Sequence, residues 1–453
     1  MCARVSTGLR ELADNRAEMV GLARFFRNPR VTADEILRTT ADEILRTAAA
    51  RTGAAAAGRH VLLIEDTSEI NYQAKAKRKR GLGRVGNGAD VGLFVHPALA
   101  VDAEGGAVLG LAGATIWRRT RVKDDHYQSL PIEEKESHRW IATALKARTF
   151  LSTAALVTLI ADREADIYEL FARAPDEQTH VLVRAVRDRA LADVGGRMLA
   201  KIAAQPEAGR LAFDLPGRPG RTARQVALAV RFCPVTLRQP QRGADRRDPP
   251  ELALNLVEAR EIDPPPGEEP IVWRLLTTHP ATTLAEAAWI IDLYRCRWIV
   301  EQLFRTLKSQ GLDLENSFLS DGDALERLAA TALIAAASVM QLVQGRGEAG
   351  ATLPASRVFS PAEISVLEAL ARKFEGKTEK QKNPHPRHSL AWAAWSIARA
   401  GGWNGYASER PPGPITFARG LRRFHAIMDG FALAANNARE PHRQPPESNV
   451  CAR

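Results

Sequence analysis

Two short apolar segments, each followed by an acidic residue, constrain the fold of this chain more than any other feature. Residues 61–64 read VLLI and are followed by Glu65 and Asp66, and residues 155–161 are followed by Asp162. Apolar runs of this length that are rich in Val, Leu and Ile are typical of buried strands. The sequence therefore predicts two buried strands that each deliver a carboxylate at or near its end.

A third acidic residue lies in a segment of helical character. Residues 284–308 predict one helix, in which Tyr294, Arg297, Glu301 and Lys308 fall at offsets 0, 3, 7 and 14. At about 100° per residue, these offsets place the four side chains within roughly 60° of arc on one helical face. A solvated ladder of i,i+4 pairs, worth ~0.2–0.5 kcal/mol each, would give the same stripe. The stripe alone leaves a functional and a structural interpretation open.

Composition indicates a soluble globular protein. The 453 residues are 45% hydrophobic and 26% charged, which is enough for a large core and two to four domains. No run approaches the ~18–20 uninterrupted apolar residues of a membrane span, and the amino terminus lacks an apolar signal core. We therefore expect a cytoplasmic protein with no membrane partner. The four cysteines form no CxxC pair, so neither a structural zinc site nor a disulfide framework is expected.

The charge balance favours a polyanionic partner. The net charge is +10 and the isoelectric point is near 9.7, with basic clusters at residues 75–80 and 242–247. On a large globular chain this balance is most often associated with nucleic acid binding. A GC-rich genome also enriches Arg and Ala, so charge alone does not decide between these explanations.

The pattern along the chain predicts an α/β protein of six segments. These are a helical amino-terminal region at 1–58, the first part of an α/β core at 59–184, an antiparallel β insertion at 185–280, the second part of the core at 281–345, a helical carboxy-terminal domain at 346–434, and a disordered tail at 435–453. Within the first segment, residues 32–39 and 40–47 repeat the octapeptide TADEILRT. The perfect repeat indicates a duplication.

Asp66, Asp162 and Glu301 together suggest metal-dependent chemistry on phosphodiesters. Converging carboxylates can hold two Mg²⁺ ions about 3.5–4 Å apart, the arrangement used for in-line displacement at phosphorus. Mg²⁺ prefers oxygen ligands and keeps several waters, and Mn²⁺ accepts the same ligands. The other polar residues on the face of Glu301 would then contact the phosphates. Acids at strand ends often only cap a turn or a helix, and spacing alone leaves that alternative open.

Five motifs along the chain resemble those of the DDE transposases of cut-and-paste insertion sequences. In chain order they are IEDTSEINY at 64–72, GLFVHPALAV at 92–101, EEKESHRW at 133–140, ADREADIYEL at 161–170 and YRCRWIVEQLFRTLK at 294–308. The last contains the pattern Y-x2-R-x3-E-x6-K. One such pattern would be weak evidence, whereas all five in this order resemble the insertion-sequence-four family, which includes the Tn-five-like transposases.

The resemblance implies a ribonuclease H-like catalytic core, interrupted by the β insertion and followed by a helical region that pairs two protomers as a homodimer. It implies cleavage of double-stranded DNA at transposon terminal repeats through a hairpin, and strand transfer into target DNA. By the motif match, Asp66, Asp162 and Glu301 become the catalytic residues and the ligands of two Mg²⁺ ions, or of Mn²⁺.

The same resemblance implies a set of DNA-binding residues. Tyr294, Arg297 and Lys308 would grip the phosphate of a flipped nucleotide, and Trp273 would stack on its base, a contact worth ~1–3 kcal/mol. Arg184 matches an arginine near the cleaved end. From the residues alone, Trp273 is equally well interpreted as a core aromatic of the β insertion. We expect Trp298 to pack in the core and not to contact DNA.

The amino-terminal region matches the family poorly. Only some 20–30 residues precede the segment ARFFRNPRV at 23–31, where relatives usually carry a longer helical domain that grips the terminal repeat. A second hypothesis is therefore a truncated, inactive transposase derivative that binds DNA or dimerises and acts as an inhibitor. The intact acidic residues favour an active enzyme. The short amino-terminal region and the octapeptide duplication favour the inactive derivative.

Overall fold

A computed structural model describes residues 5–13, 15–29, 52–119, 127–192, 196–215, 222–241, 245–406 and 408–439. Within these ranges, one mixed sheet organises the chain. Its strands are β1 His60–Glu65, β2 Ser68–Asn71, β3 Gly83–Val85, β4 Asp90–Asp102, β5 Val108–Trp117, β6 Leu156–Ala161, β7 Thr179–Arg184, β8 Gly209–Leu215, β9 Arg224–Arg238, β10 Glu251–Glu261 and β11 Val272–Thr277. The order is β2-β4-β1-β6-β7-β11-β10-β9-β8, and β3 and β5 also pair with β4. The octapeptide repeat lies outside the described residues.

Helices cover the sheet and form the carboxy-terminal region. They are α1 Leu9–Leu12, α2 Arg16–Arg27, α3 His138–Phe150, α4 Tyr168–Arg173, α5 Met198–Ala203, α6 Leu284–Arg295, α7 Trp298–Lys308, α8 Gly322–Gln344, α9 Glu348–Ala351, α10 Pro361–Phe374, α11 Leu390–Ala400 and α12 Pro414–Arg439. Residues 52–56 are also helical. Mixed strands and helices confirm the α/β class.

The two strands predicted from apolar runs form the centre of the sheet. β1 and β6 pair in parallel, β6 and β7 also pair in parallel, and β4 runs antiparallel to β1 on its other side. Nearly every residue of β1 and β6 is buried, because helices cover both faces. These continuous apolar runs are therefore the strands that carry Asp66 and Asp162 at their carboxyl ends.

The strands of segment 185–280 are antiparallel, and they extend the central sheet. β11 pairs antiparallel with β7, and β10, β9 and β8 follow in turn. The pairing aligns Arg184 with Leu275. Local sequence patterns indicate strands but do not show which distant strands they pair with. The sequence therefore did not predict that β11 joins the insertion to the central sheet through β7.

The prediction of one helix across residues 284–308 is wrong, because α6 ends at Arg295 and α7 begins at Trp298. The N–H groups of Cys296 and Arg297 donate to the carbonyls of Leu293 and Tyr294, three residues back. Such bonds tighten the backbone into a 3₁₀ turn and interrupt the α-helical ladder. Tyr294 therefore lies on α6, Glu301 and Lys308 lie on α7, and Arg297 is the N-cap residue that immediately precedes α7.

Helix α8 is the buried axis of the second half of the protein. It packs against β5, α2, α7 and the carboxy-terminal helices, and its many alanines allow close approach. Contrary to the expectation from composition, its length and hydropathy would suffice to cross a membrane. However, 78% of its most apolar window is buried inside the protein, which is the pattern of a core helix.

The carboxy-terminal boundaries differ from those predicted. The segment 345–357, which looked like a linker, contains α9 and a short 3₁₀ turn and buries Leu353 and Ala355. Helix α12 continues to Arg439, so residues 435–439 are helical and not part of a disordered tail. Residues 440–453 lie outside the described part of the chain.

Replacing Asp321 with Ala is expected to lower the free energy of unfolding by about 1 kcal/mol. One Asp321 carboxylate oxygen accepts the N–H groups of Asp323 and Ala324 at the start of α8, both at 3.1 Å. Asp321→Asn is the matched control, because an amide oxygen still accepts these bonds. Urea unfolding followed by circular dichroism measures the difference, and equal losses in the two variants would contradict the capping role.

Candidate functional site

Parallel pairing of β1 with β6 brings Asp66 and Asp162 together. The register aligns Ile64 with Ile160, and both aspartates lie two residues further along their chains. Because the carboxyl ends of parallel strands leave the sheet at the same edge, the two side chains emerge as neighbours. Asp66 is buried and Asp162 is half-buried.

Each aspartate is anchored by the backbone of the turn that follows it. The N–H of Thr67 donates to Asp66 Oδ1 at 2.7 Å, and the N–H of Glu164 donates to Asp162 Oδ1 at 2.8 Å. A carboxylate that accepts a backbone N–H is held in one orientation and is favoured in its charged form. The two turns therefore decide where the carboxylates point.

Arg297 joins the first of these carboxylates to the third acidic residue. Its Nη1 donates to Asp66 Oδ2 at 2.7 Å, and its Nη2 lies 3.6 Å from Glu301 Oε1. The side chains of Arg297 and Asp66 are 9% and 11% exposed, whereas that of Glu301 is 37% exposed. The structure thus brings Asp66, Asp162, Arg297 and Glu301 to one site at the start of α7.

Burial and the negative charges of neighbouring acidic residues raise the pKa of Asp66 to about 7. Burial is the largest cause, and the negative charge of Asp162 is the next. Arg297 and the N–H of Thr67 act in the opposite direction, while Glu301 adds a further increase. The positive charge of Arg297 therefore does not fully offset the burial and the negative charges that raise the pKa of Asp66.

The donor chemistry of the site fits a hard divalent cation. All three acidic side chains offer oxygen ligands, and their mutual repulsion is what a bound cation would relieve. Within the described residues, no group of three His, Cys, Asp or Glu side chains is already gathered as a metal site. Arg297 instead holds one oxygen of Asp66, so metal binding requires this ion pair to loosen.

Tyr294 and Arg184 lie beside the acidic residues. Tyr294 is buried, and burial raises the pKa of its phenol, while the positive charges of Arg297 and Arg184 partly oppose this increase. Arg184, at the end of β7, donates through Nη2 to the carbonyl of Val272 at 3.0 Å. Lys308 is half-buried at the other end of α7, roughly 10 Å along the helix from Glu301.

Trp273 is a buried aromatic of strand β11. Its ring stacks on Phe213 with centroids 5.8 Å apart and meets Tyr294 edge to face at 6.0 Å. Only 8% of the residue is exposed. In this conformation, Trp273 is a core aromatic, which is the alternative interpretation that the sequence left open. It lies next to the site.

The expectation that Trp298 packs in the core is wrong. The residue is 50% exposed, and the Arg297 guanidinium lies over its ring at 5.0 Å from the centroid. The buried apolar residues of α7 recur at helical spacing, at positions 299, 300, 303, 304 and 307. Trp298 falls outside this stripe and shares the opposite face with Gln302 and Arg305, so helical periodicity alone would have placed it correctly.

Behind the aspartates lies a buried polar network that was not singled out from the sequence. Glu65 and His96 are fully buried, with His96 Nε2 3.4 Å from Glu65 Oε2. Burial raises the pKa of Glu65 well above its ordinary range and lowers that of His96 well below, so both favour their neutral forms. His96 Nδ1 lies 3.0 Å from Thr67 Oγ1, and Arg139 donates to the same oxygen. The sequence motif EEKESHRW contains Arg139 and is the feature that could have pointed to this network.

Comparison with known families agrees with the site. Residues 126–337 match a family model described as a transposase DDE domain. The matched range includes Asp162 and Glu301, while Asp66 precedes it on the neighbouring strand. The match supports a DDE transposase, the general class to which the sequence motifs point.

Without metal, the stability of the protein is expected to fall as pH rises from about 5 to 8. The pKa of Asp66 in the fold, about 7, exceeds that of an unfolded aspartate, so its contribution is fully present below about pH 4 and is lost as pH rises through 7. Asp66→Asn should reduce this decline by at least about 1 kcal/mol, since one pKa unit corresponds to ~1.4 kcal/mol.

Thermal unfolding in chelator at several pH values measures this difference. Asp292→Asn is the control, because Asp292 is exposed and pairs only with Arg295 among the ion pairs of the described residues. If the stability of Asp66→Asn falls as steeply with rising pH as that of the wild type, Asp66 does not titrate in this range.

Proposed function

We propose that this protein is an active, metal-dependent DNA transposase in which Asp66, Asp162 and Glu301 are the catalytic residues. The observation that carries the proposal is that Asp66 and Glu301 both contact one buried arginine, Arg297, while burial and the charge of Asp162 raise the pKa of Asp66 to about 7. A fold does not need such a concentration of like charge for its stability, and a carboxyl group with a strongly shifted pKa beside charged partners is typical of a functional site. The match to a transposase DDE domain agrees with this assignment.

In the proposed reaction, the three carboxylates hold two Mg²⁺ ions, or Mn²⁺, at the scissile phosphate. When bound, the ions supply an activated water and stabilise the leaving oxygen. Arg297 is positioned to transfer its hydrogen bonds from Asp66 to a phosphate oxygen, because it already lies between Asp66 and Glu301. Tyr294, Arg184 and Lys308 are proposed to hold the neighbouring phosphates.

Trp273 is proposed as the stacking platform of a flipped base. Its position next to Tyr294 supports this role, since the ring lies one side chain away from the acidic residues. Phe213 stacks on Trp273 in the present conformation, so base stacking requires Phe213 to move away. Segment 209–215, which carries Phe213, is strand β8 at the edge of the sheet, where it pairs with β9 alone among the described strands.

The part of the sheet that carries the site is proposed to be a ribonuclease H-like core. Support comes from five strands in the order β5-β4-β1-β6-β7. β4 is antiparallel to both of its neighbours in this set, whereas β1, β6 and β7 are mutually parallel. The carboxylates then lie where parallel strands end, which is the usual place for ligand sites in open α/β sheets.

A basic cleft supports double-stranded DNA as the partner. It has a volume of about 670 Å³ and lies between α7, the end of α8 and the loop before α12. Its charged residues are one carboxylate, Glu409, and four arginines, which are Arg305, Arg346, Arg410 and Arg419. One carboxylate, which accepts a hydrogen bond from Asn404 at 2.7 Å, stands against four arginines, so the lining of the cleft carries a net positive charge.

We further propose that the protein is a Tn-five-like member of the insertion-sequence-four family. It would cut transposon terminal repeats through a hairpin and insert the element into target DNA in the bacterial cytosol or nucleoid. The five ordered motifs support this finer assignment. Residues 346–434 are proposed to pair two protomers, and the exposed apolar residues Ile415 and Phe431 on α12 support a partner surface there.

Glu301→Gln is expected to lower DNA cleavage by roughly 10³-fold or more, because metal ions at such sites supply several kcal/mol of transition-state stabilisation. The assay incubates purified protein and Mg²⁺ with a labelled duplex that carries the element's terminal repeats. Asp292→Asn, on the exposed face of α6, is the matched control and should cut like the wild type. The enzymatic proposal fails if Glu301→Gln cuts equally well.

The same assay addresses the alternative of an inactive derivative that binds DNA or dimerises as an inhibitor. The duplicated octapeptide at 32–47 favours that alternative. It predicts neither nicks nor hairpins from the wild-type protein, together with retained DNA binding or inhibition of an active relative.

Arg419→Ala and Arg305→Ala are each expected to weaken DNA binding at every sequence tested. Each should also reduce the slope of log affinity against log salt concentration by about 1, as for the loss of one phosphate contact. Arg210→Ala is the control, because Arg210 is an exposed arginine on β8 that pairs with Glu207 outside the cleft. Unchanged salt slopes in the two cleft variants would exclude the cleft as a DNA surface.

A further inference from the structure

We propose that Arg139 is a positioning residue that fixes the separation of the Asp66 and Asp162 carboxylates. The proposal rests on the proposed function, because it assigns Arg139 a role in holding the two carboxylates ready for divalent cations. Arg139 lies in the first turn of α3 and touches neither aspartate in the hydrogen bonds of the described residues. Its effect is transmitted through the two turns that follow β1 and β6.

The guanidinium of Arg139 bonds to both turns at once. Nε donates to Thr67 Oγ1 at 3.0 Å, and Nη2 donates to Glu164 Oε2 at 2.9 Å. Nη1 donates to the carbonyl of Glu136 at 2.9 Å, which fixes the guanidinium to the residues just before α3. The guanidinium of Arg139 thus connects Thr67, which follows Asp66, with Glu164, the second residue after Asp162.

Thr67 and Glu164 are the residues whose backbone N–H groups hold the aspartates. The Thr67 N–H donates to Asp66 Oδ1 and the Glu164 N–H donates to Asp162 Oδ1. Each turn therefore uses its backbone to orient a carboxylate and its side chain to bind Arg139. Moving the guanidinium would move both N–H donors, and with them both carboxylates.

The guanidinium is itself held rigidly. It lies over the rings of Trp117 and Trp140, 5.2 Å and 5.4 Å from their centroids, and its side chain is only 12% exposed. His96 Nδ1 lies 3.0 Å from the Thr67 hydroxyl and fixes it from the other side. The Arg fork presents several donors in one plane, whereas a Lys ammonium cannot span the two turns with the same geometry.

Two neighbouring carboxylates repel each other, and they separate unless the protein restrains them. Arg297 binds Asp66 directly, but its ion pair must loosen when a cation enters. Arg139 does not compete with the cation, since it acts on the far side of the two turns. It can therefore keep the carboxylates in place both before and after the cations bind.

The test measures Mn²⁺ binding to the intact protein without DNA, by electron paramagnetic resonance of free Mn²⁺. Arg139→Met is expected to weaken Mn²⁺ binding by about 10- to 100-fold, the range typical of groups that orient metal ligands. Arg139→Lys should bind with intermediate affinity. In the cleavage assay, Arg139→Met should raise the Mg²⁺ concentration needed for half-maximal rate by a similar factor.

Arg148→Met is the matched control on the same helix. Arg148 also makes an ion pair, with Asp176 at 2.9 Å, and donates to the carbonyl of Ala174, but it contacts neither turn. Its variant should bind Mn²⁺ like the wild type even if its thermal midpoint falls. The proposal is overturned if Arg139→Met binds Mn²⁺ within about threefold of the wild type while losing only thermal stability.

Thr67 provides a second pair of variants in case Arg139→Met does not fold. Thr67→Ser keeps the hydroxyl and should preserve Mn²⁺ affinity, whereas Thr67→Val keeps the shape, loses the hydroxyl and should weaken binding. Equal affinities in these two variants would overturn the proposal. A wild-type protein that neither binds Mn²⁺ nor cuts DNA would instead refute the proposed function, so the two failures are distinguishable.

Discussion

The parallel pairing of β1 with β6 is the constraint on which the rest of the site depends. It sets buried Asp66 beside half-buried Asp162, and burial strengthens the repulsion between like charges. Two arginines stabilise this arrangement: Arg297, just before α7, binds Asp66 directly, and Arg139 of α3 binds the turns that follow the two strands. The apolar stripe of α7 packs into the core and thereby fixes where Arg297 can reach.

Much of this arrangement could be predicted from sequence, because it depends on local patterns. The apolar runs of β1 and β6 identify buried strands, and the acidic residues that follow them identify the edge of interest. The break between α6 and α7 could not be predicted in this way, since residues 296–297 keep helical backbone angles and differ only in which carbonyl their N–H groups reach. Hydrophobic periodicity did indicate that Trp298 is exposed, because the residue falls outside the apolar stripe of α7.

Long-range partners were outside the reach of sequence patterns. Arg139 and Thr67 are separated by 72 residues, and their bond depends on how α3 crosses the sheet. The joining of β11 to β7 likewise depends on the path of some 90 intervening residues.

The ion pair between Arg297 and Asp66 has a consequence for the order in which ligands arrive. A phosphate that draws the guanidinium toward itself frees an oxygen of Asp66, and a cation that binds Asp66 frees the guanidinium for a phosphate. Each ligand thus removes an obstacle to the other, which by thermodynamic linkage makes their binding mutually favourable. In the absence of nucleic acid, the arginine acts as an internal counter-ion that keeps the acidic residues occupied. The proposed reactive arrangement would then be favoured where a DNA strand is already in place.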